Sequence, residues 1–143
     1  MQAITDLTNP QPAFLQGHMV WLLRLEGLAL MALSLLAYHR YSAWGLREFA
    51  LLFLLPDIAL LAYALGARAA RLGAYAYNVT HTYFGPMLML VYGMLTDTRW
   101  ALSLGLIWLA HIGFDRALGY GLKYTQGFRY THLGRVGGVQ AMQ

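Results

Sequence analysis

Apolar residues in this chain fall into four long blocks, each closed by a short polar link. The blocks run from about 18 to 38, 46 to 66, 74 to 95 and 100 to 122. A bilayer crossing needs about 20 predominantly apolar residues, and each block is of that order. The links HRYSAW, ARAARLG and TDTR are short, so successive helices should run antiparallel. The pattern therefore predicts an all-α polytopic membrane protein, an antiparallel four-helix transmembrane bundle forming one domain over residues 1–143. Pro56 and Pro86 lie inside the second and third blocks, where a membrane helix tolerates a kink if neighbours re-satisfy the freed carbonyl. The starting segment TNPQPAF reads as an interfacial or frayed arm, and the tail GRVGGVQAMQ as loosely ordered. No Lys or Arg precedes the first block and no clean small-residue cleavage site follows it, so it reads as a retained span rather than a signal peptide.

Composition supports the same class. Hydrophobic residues make up 59% and charged residues 11%, against roughly 25% charged in ordinary globular domains. That leaves too little polar surface for a soluble domain. The net charge of +4 does not point to nucleic acid, because the basic residues stand singly at the ends of apolar blocks. Arg68, Arg71, Lys123, Arg129 and Arg135 fall on one side, and Arg40, Arg47 and Arg99 on the other. The positive-inside rule then places both termini in the cytoplasm. With no cysteine, disulfides, thiolate metal sites and cysteine nucleophiles are excluded.

The candidate chemistry comes from polar groups inside the blocks. At 1.5 Å per residue, Glu26 lies about 12 Å in from the cytoplasmic end, Asp57 about 13 Å, Asn78 and His81 roughly 6 and 10 Å, Asp115 and His111 roughly 10 and 16 Å. All four spans thus place polar groups at one depth, and the other half of the membrane receives almost none. A central Asp costs about 2.5–3.5 kcal/mol on insertion scales, so three lipid-facing acids would cancel most of the apolar gain. They are expected to face inward, toward one another or a wet cavity. His111 and Asp115 are four apart, with Gly119 continuing that face; Asn78 and His81 are three apart, with Gly85 on their line. Arg24 is out of phase with Glu26 and reads as interfacial, whereas Arg116 can pair inside or snorkel. Tyr75, Tyr77, Tyr83, Tyr120, Tyr124 and Trp100 read as an aromatic belt.

Several motifs together resemble a known family of small bacterial four-helix membrane proteins classed as a domain of unknown function. They are YN-x-x-H at Tyr77, Asn78 and His81, HIGFDRALGYGLKY from His111, F-x-x-THLG at Phe128 and Thr131 to Gly134, LEGLAL around Glu26, and Pro56-Asp57. The resemblance covers nearly the whole chain. It implies an inner-membrane protein with these recurrent polar positions and assigns no activity.

Glu26, Asp57, Asn78, His81, His111 and Asp115 are therefore the candidate site. Carboxylates beside neutral imidazoles in a low-dielectric pocket suit acid/base chemistry such as isomerisation, cyclisation or hydration of a lipid-like or isoprenoid substrate. Asp57, Glu26 and Asp115 would be the acids and bases, with His81 and His111 orienting or relaying protons. A metal held by His81, His111 and Asp115 is the alternative, although no helix carries the Glu-x-x-His pairs of di-iron bundles. No phosphate loop or nucleophile motif is present, and no particular cofactor is required. Membrane lipid and a hydrophobic small molecule are the expected partners. A proton pathway fits less well, because its stations should continue through both halves of the membrane. A purely structural network that sets helix register is the remaining option.

Overall fold

A computed structural model describes residues 18–123, 130–131 and 134–135. The expected starting arm, most of the tail, Tyr124, Phe128 and Arg129 lie outside the described residues. The chain is helical: α1 is His18–Tyr41, α2 Leu46–Phe53, α3 Ala67–Thr80, α4 Phe84–Leu95 and α5 Arg99–Leu118, with a 3₁₀ helix Leu55–Leu65 between α2 and α3. Past α5, the two-residue strands β1, Tyr130–Thr131, and β2, Gly134–Arg135, pair antiparallel. Among the described residues, α1 and α5 are the two helices long and apolar enough to cross a membrane.

The second and third apolar blocks are each interrupted, and proline accounts for both breaks. Pro56 has no N–H for the Leu52 carbonyl and its ring crowds that carbonyl, so α2 stops at Phe53. The chain continues as an 11-residue 3₁₀ helix with Pro56 in its first turn, well beyond the three or four residues usual for that geometry. Pro86 cannot bond the Thr82 carbonyl, and the chain is irregular from His81 to Tyr83 before α4 begins. The stretch ARAARLG, expected as a link, instead forms the first half of α3, and the turn is made at Gly66 with φ of +98°.

α5 is the central element. Ile107, Ala110, His111 and Ile112 are almost completely enclosed, because α1, α2 and α4 all pack on it. Pairings along the helices show the antiparallel order expected from the short links. Arg24 meets Ala117, Gly27 meets Gly113 and Ser42 meets Ser103 between α1 and α5. Gly93 lies against Leu102, and Gly85 against Trp108, between α4 and α5. Between the 3₁₀ helix and α3, Thr80 Oγ1 donates to the Pro56 carbonyl at 3.2 Å, and Gly73 lies against Ala59 and Ala62.

Close approach of α1 to α5 depends on Gly27 and Gly113. A Cβ on Gly27 would sit 2.5 Å from Arg116 Cβ, and one on Gly113 would sit 2.7 Å from the Met31 nitrogen. Only a narrow stripe of α1, Gly27, Ser34 and Tyr38, is buried. Its remaining surface exposes Trp21, Leu22, Leu25, Leu28, Leu33 and Leu36. At the far end of α5, Gly119 adopts φ of +90° and closes the helix: its N–H bonds the Arg116 carbonyl and the Tyr120 N–H bonds that of Asp115. Gly119 is thus a helix stop rather than a continuation of the His111/Asp115 face.

Candidate metal centre

Both helix breaks converge on one point beside α5. Asp57 lies in the first turn of the 3₁₀ helix, immediately after the Pro56 break. His81 is the residue that ends α3. His111 and Asp115, one turn apart on α5, face them. One ligand atom from each of the four residues lies within 4.8 Å of every other. His81 Nε2 is 3.0 Å from His111 Nε2. It is also 3.3 Å from Asp57 Oδ1 and 3.3 Å from Asp115 Oδ2, and His111 Nε2 is 3.7 Å from Asp57 Oδ1. The two imidazoles are buried, the Asp115 side chain is 12% exposed and that of Asp57 is 32% exposed. Asp57 is therefore the open side of the site.

A second layer fixes the first. His81 Nδ1 lies 2.8 Å from the Tyr77 carbonyl. A carbonyl only accepts, so Nδ1 carries a proton; a neutral ring then presents the Nε2 lone pair to the cluster, and an imidazolium donates Nε2–H to the Asp57 and Asp115 carboxylates. Tyr77 stacks on the His81 ring, with centroids 3.6 Å apart, and its hydroxyl donates to Asp115 Oδ2 at 2.9 Å. Phe53 meets the His111 ring edge-on at 5.0 Å. Among the described residues, His111 Nδ1 is buried without a hydrogen-bond partner. With a cation on Nε2 it would carry an unanswered proton, which makes His111 the weaker imidazole ligand.

Four of the six sequence candidates, Asp57, His81, His111 and Asp115, thus meet. Glu26 does not. It lies on the exposed side of α1, because Gly27 takes the contact with α5 and turns its neighbour away. Asn78 does not reach the cluster either. Its Nδ2 donates to the Lys123 carbonyl at 2.9 Å and its Oδ1 accepts from the Lys123 N–H at 2.7 Å. The chain beyond α5 is tied to α3 by that double bond. Lys123 is buried, with Nζ 4.7 Å from the centre of the Tyr77 ring. Burial pushes its ammonium below the ordinary lysine value, while the Asp115 and Asp57 carboxylates act in the opposite sense.

Tyr77 is the site residue that sequence reasoning assigned elsewhere. It is buried rather than part of an interfacial belt, whereas Tyr75, Tyr83, Trp100 and Tyr120 are exposed. Its position four residues before His81 was the available signal, since residues so spaced share a helix face. The two arginines also find partners. Arg24 Nε donates to the Ala117 carbonyl at 2.9 Å, and Arg116 Nη2 makes a long contact of 3.5 Å with the His81 carbonyl.

Residues 20–136 match the family model described as a domain of unknown function, DUF4260. The chain belongs to that family. The match spans every residue of the cluster, of its second layer and of the Asn78–Lys123 clamp. Neither the curated proteins nor the solved structures contain a match to the chain.

Proposed function

We propose that this DUF4260 protein is an integral membrane protein that binds a divalent transition metal at Asp57, His81, His111 and Asp115. In this reading the metal acts on an oxygen-bearing, lipid-like substrate. The observation that carries the metal is the spacing of the donors. For ligand bonds of about 2.0–2.1 Å, the edges of a tetrahedron are about 3.3–3.4 Å. Four of the six donor separations, 3.0, 3.3, 3.3 and 3.7 Å, bracket that value, and all lie within 4.8 Å. Charge supports it too. Two carboxylates facing one donor cluster repel one another in a low-dielectric interior, and a dication offsets both. Two imidazoles and carboxylate oxygens suit zinc or iron. His81, His111 and Asp115 form the enclosed part of the ligand set. Asp57, on the open side, is the ligand a substrate can displace, leaving a Lewis acid to polarise the substrate's oxygen.

For the membrane, support comes from α1 and α5 and from the apolar surface that α1 exposes. A soluble monomer rarely presents contiguous apolar patches above a few hundred Å². In our reading α2 with the 3₁₀ helix makes the second crossing and α3 with α4 the third, both broken at the metal. Broken helices are tolerated at membrane depth where they are buried in protein or line a cavity. Both termini are then cytoplasmic, by the distribution of Lys and Arg.

A second reading has its own observation. The 3.0 Å contact between the two Nε2 atoms also suits one imidazole donating to the other. Lys123 beside Tyr77 would then supply the countercharge, as part of a metal-free acid/base network. Elemental analysis of protein purified in detergent separates the two. The metal reading expects about one zinc or iron per chain, lost in His81→Ala and Asp115→Ala and kept in Glu26→Gln. Wild-type protein that stays metal-free after incubation with zinc or ferrous iron and desalting would leave the acid/base network standing.

A further inference from the structure

Beside the metal cluster lies a cleft of about 140 Å³ lined by Leu52, Leu55, Pro56, Thr80, Leu104 and Trp108. Three of its lining residues adjoin the cluster along the chain: Pro56 precedes Asp57, Thr80 precedes His81, and Trp108 is three residues before His111 on α5. Pro56, at the break between α2 and the 3₁₀ helix, is part of its wall. The polar atoms of the wall are already used. Trp108 Nε1 donates to the Thr80 carbonyl, and the single Thr80 Oγ1 proton is shared between the carbonyls of Tyr77 and Pro56. What remains for a ligand is hydrocarbon.

A site with metal ligands at one end and a saturated apolar wall at the other selects for an amphiphile. The geometry points to this cleft as the chain-binding subsite of the metal centre. Its occupant is a single-chain amphiphile with an oxygen-bearing head at the open Asp57 side and its hydrocarbon chain along Leu52, Leu55, Leu104 and Trp108. The inference rests on the metal reading above and adds the substrate class. Bulk bilayer lipid, seated without regard to the metal, is the competing occupant.

The test uses cobalt-loaded full-length protein in detergent, with straight-chain alkyl hydroxamates as probes. The hydroxamate head binds the metal and shifts the cobalt visible absorption, so binding is read at the centre itself. In the wild type, affinity should rise at least about tenfold from acetohydroxamate to octanohydroxamate, since each buried methylene favours association. In Leu104→Trp, which fills the cleft, acetohydroxamate should bind as in wild type while the rise with chain length collapses. Leu52→Phe serves as a second cleft-filling variant where Leu104→Trp disturbs the cobalt spectrum. A chain-length rise equal in wild type and filled variants would assign the effect to the micelle and overturn the subsite. Cobalt that binds with no response to any hydroxamate also overturns it, and leaves a closed structural metal. Failure to take up cobalt at all overturns the metal reading itself. A diazirine-bearing octanohydroxamate gives an independent reading: labelling should fall on peptides containing Leu52, Leu104 or Trp108, and labelling confined to the outer face of α1 would contradict the assignment.

Discussion

Replacing Asn78 by alanine separates a clamp from a catalytic group. The side chain makes two hydrogen bonds to one residue, accepting from the Lys123 N–H at 2.7 Å and donating to its carbonyl at 2.9 Å. Alanine leaves both Lys123 backbone groups without that partner. A hydrogen bond contributes about 0.5–1.5 kcal/mol net, so losing the two costs about 2 kcal/mol. That corresponds to roughly thirtyfold more frequent opening of the segment around Lys123. Amide hydrogen exchange with mass spectrometry on the detergent-solubilised protein reads it directly. Peptides covering Lys123 should exchange roughly thirtyfold faster in Asn78→Ala, while peptides from α5 around His111 change little. Metal content should stay near wild type, because Asn78 supplies no ligand atom. Unchanged exchange at Lys123 together with complete loss of metal would refute this, and would return Asn78 to the site proper.

Three further outcomes follow from the same geometry. Tyr77→Phe keeps the ring on His81 and removes the bond to Asp115, so zinc affinity measured by chelator competition should fall about 10–100-fold, as for other outer-shell partners; an unchanged affinity counts against the second layer. Gly27→Leu drives a side chain into Arg116 Cβ and the backbone of residues 113 and 117, and should lower stability in detergent by about 1–3 kcal/mol or more, whereas Glu26→Leu beside it should leave the midpoint of thermal unfolding unchanged or raised. Because the chain has no cysteine, single cysteines at Ala43, Gly66 and Asp97 report topology cleanly. In right-side-out cells, Ala43→Cys and Asp97→Cys should react with a membrane-impermeant maleimide and Gly66→Cys should not, and reaction at all three positions would argue against four crossings.

How much of this was readable from the chain depends on what each signal encodes. His111 and Asp115 were legible as a pair because α5 is regular through both, so a spacing of four is a shared face. Pro56 and Pro86 announced distortions, but not that the breaks would deliver Asp57 and His81 to the same point. That depends on which residues pack across α3 and the 3₁₀ helix, a matter of tertiary contact. The face shared by Asn78 and His81 lapsed. At 3.6 residues per turn Asn78 lies about 60° to one side of His81, where it meets Lys123, whereas Tyr77 lies about 40° to the other and stays on the ring. Glu26 was misplaced by an energetic argument without a direction. α1 is apolar almost all round, and hydrophobicity cannot say which stripe meets α5. The spacing of Gly27 and Ser34, small residues seven apart, carried that information. Tyr77 was read by residue type, as an interfacial aromatic, when its position relative to His81 was the better guide.

In the proposed site Asp57, His81, His111 and Asp115 close around one cation. X-ray absorption at the zinc edge on stoichiometrically loaded protein tests it most directly. The expected spectrum has a first shell of four light atoms, nitrogen and oxygen, at about 2.0 Å, with outer-shell scattering from two imidazoles. A six-oxygen aqua-like shell with no imidazole contribution would contradict it.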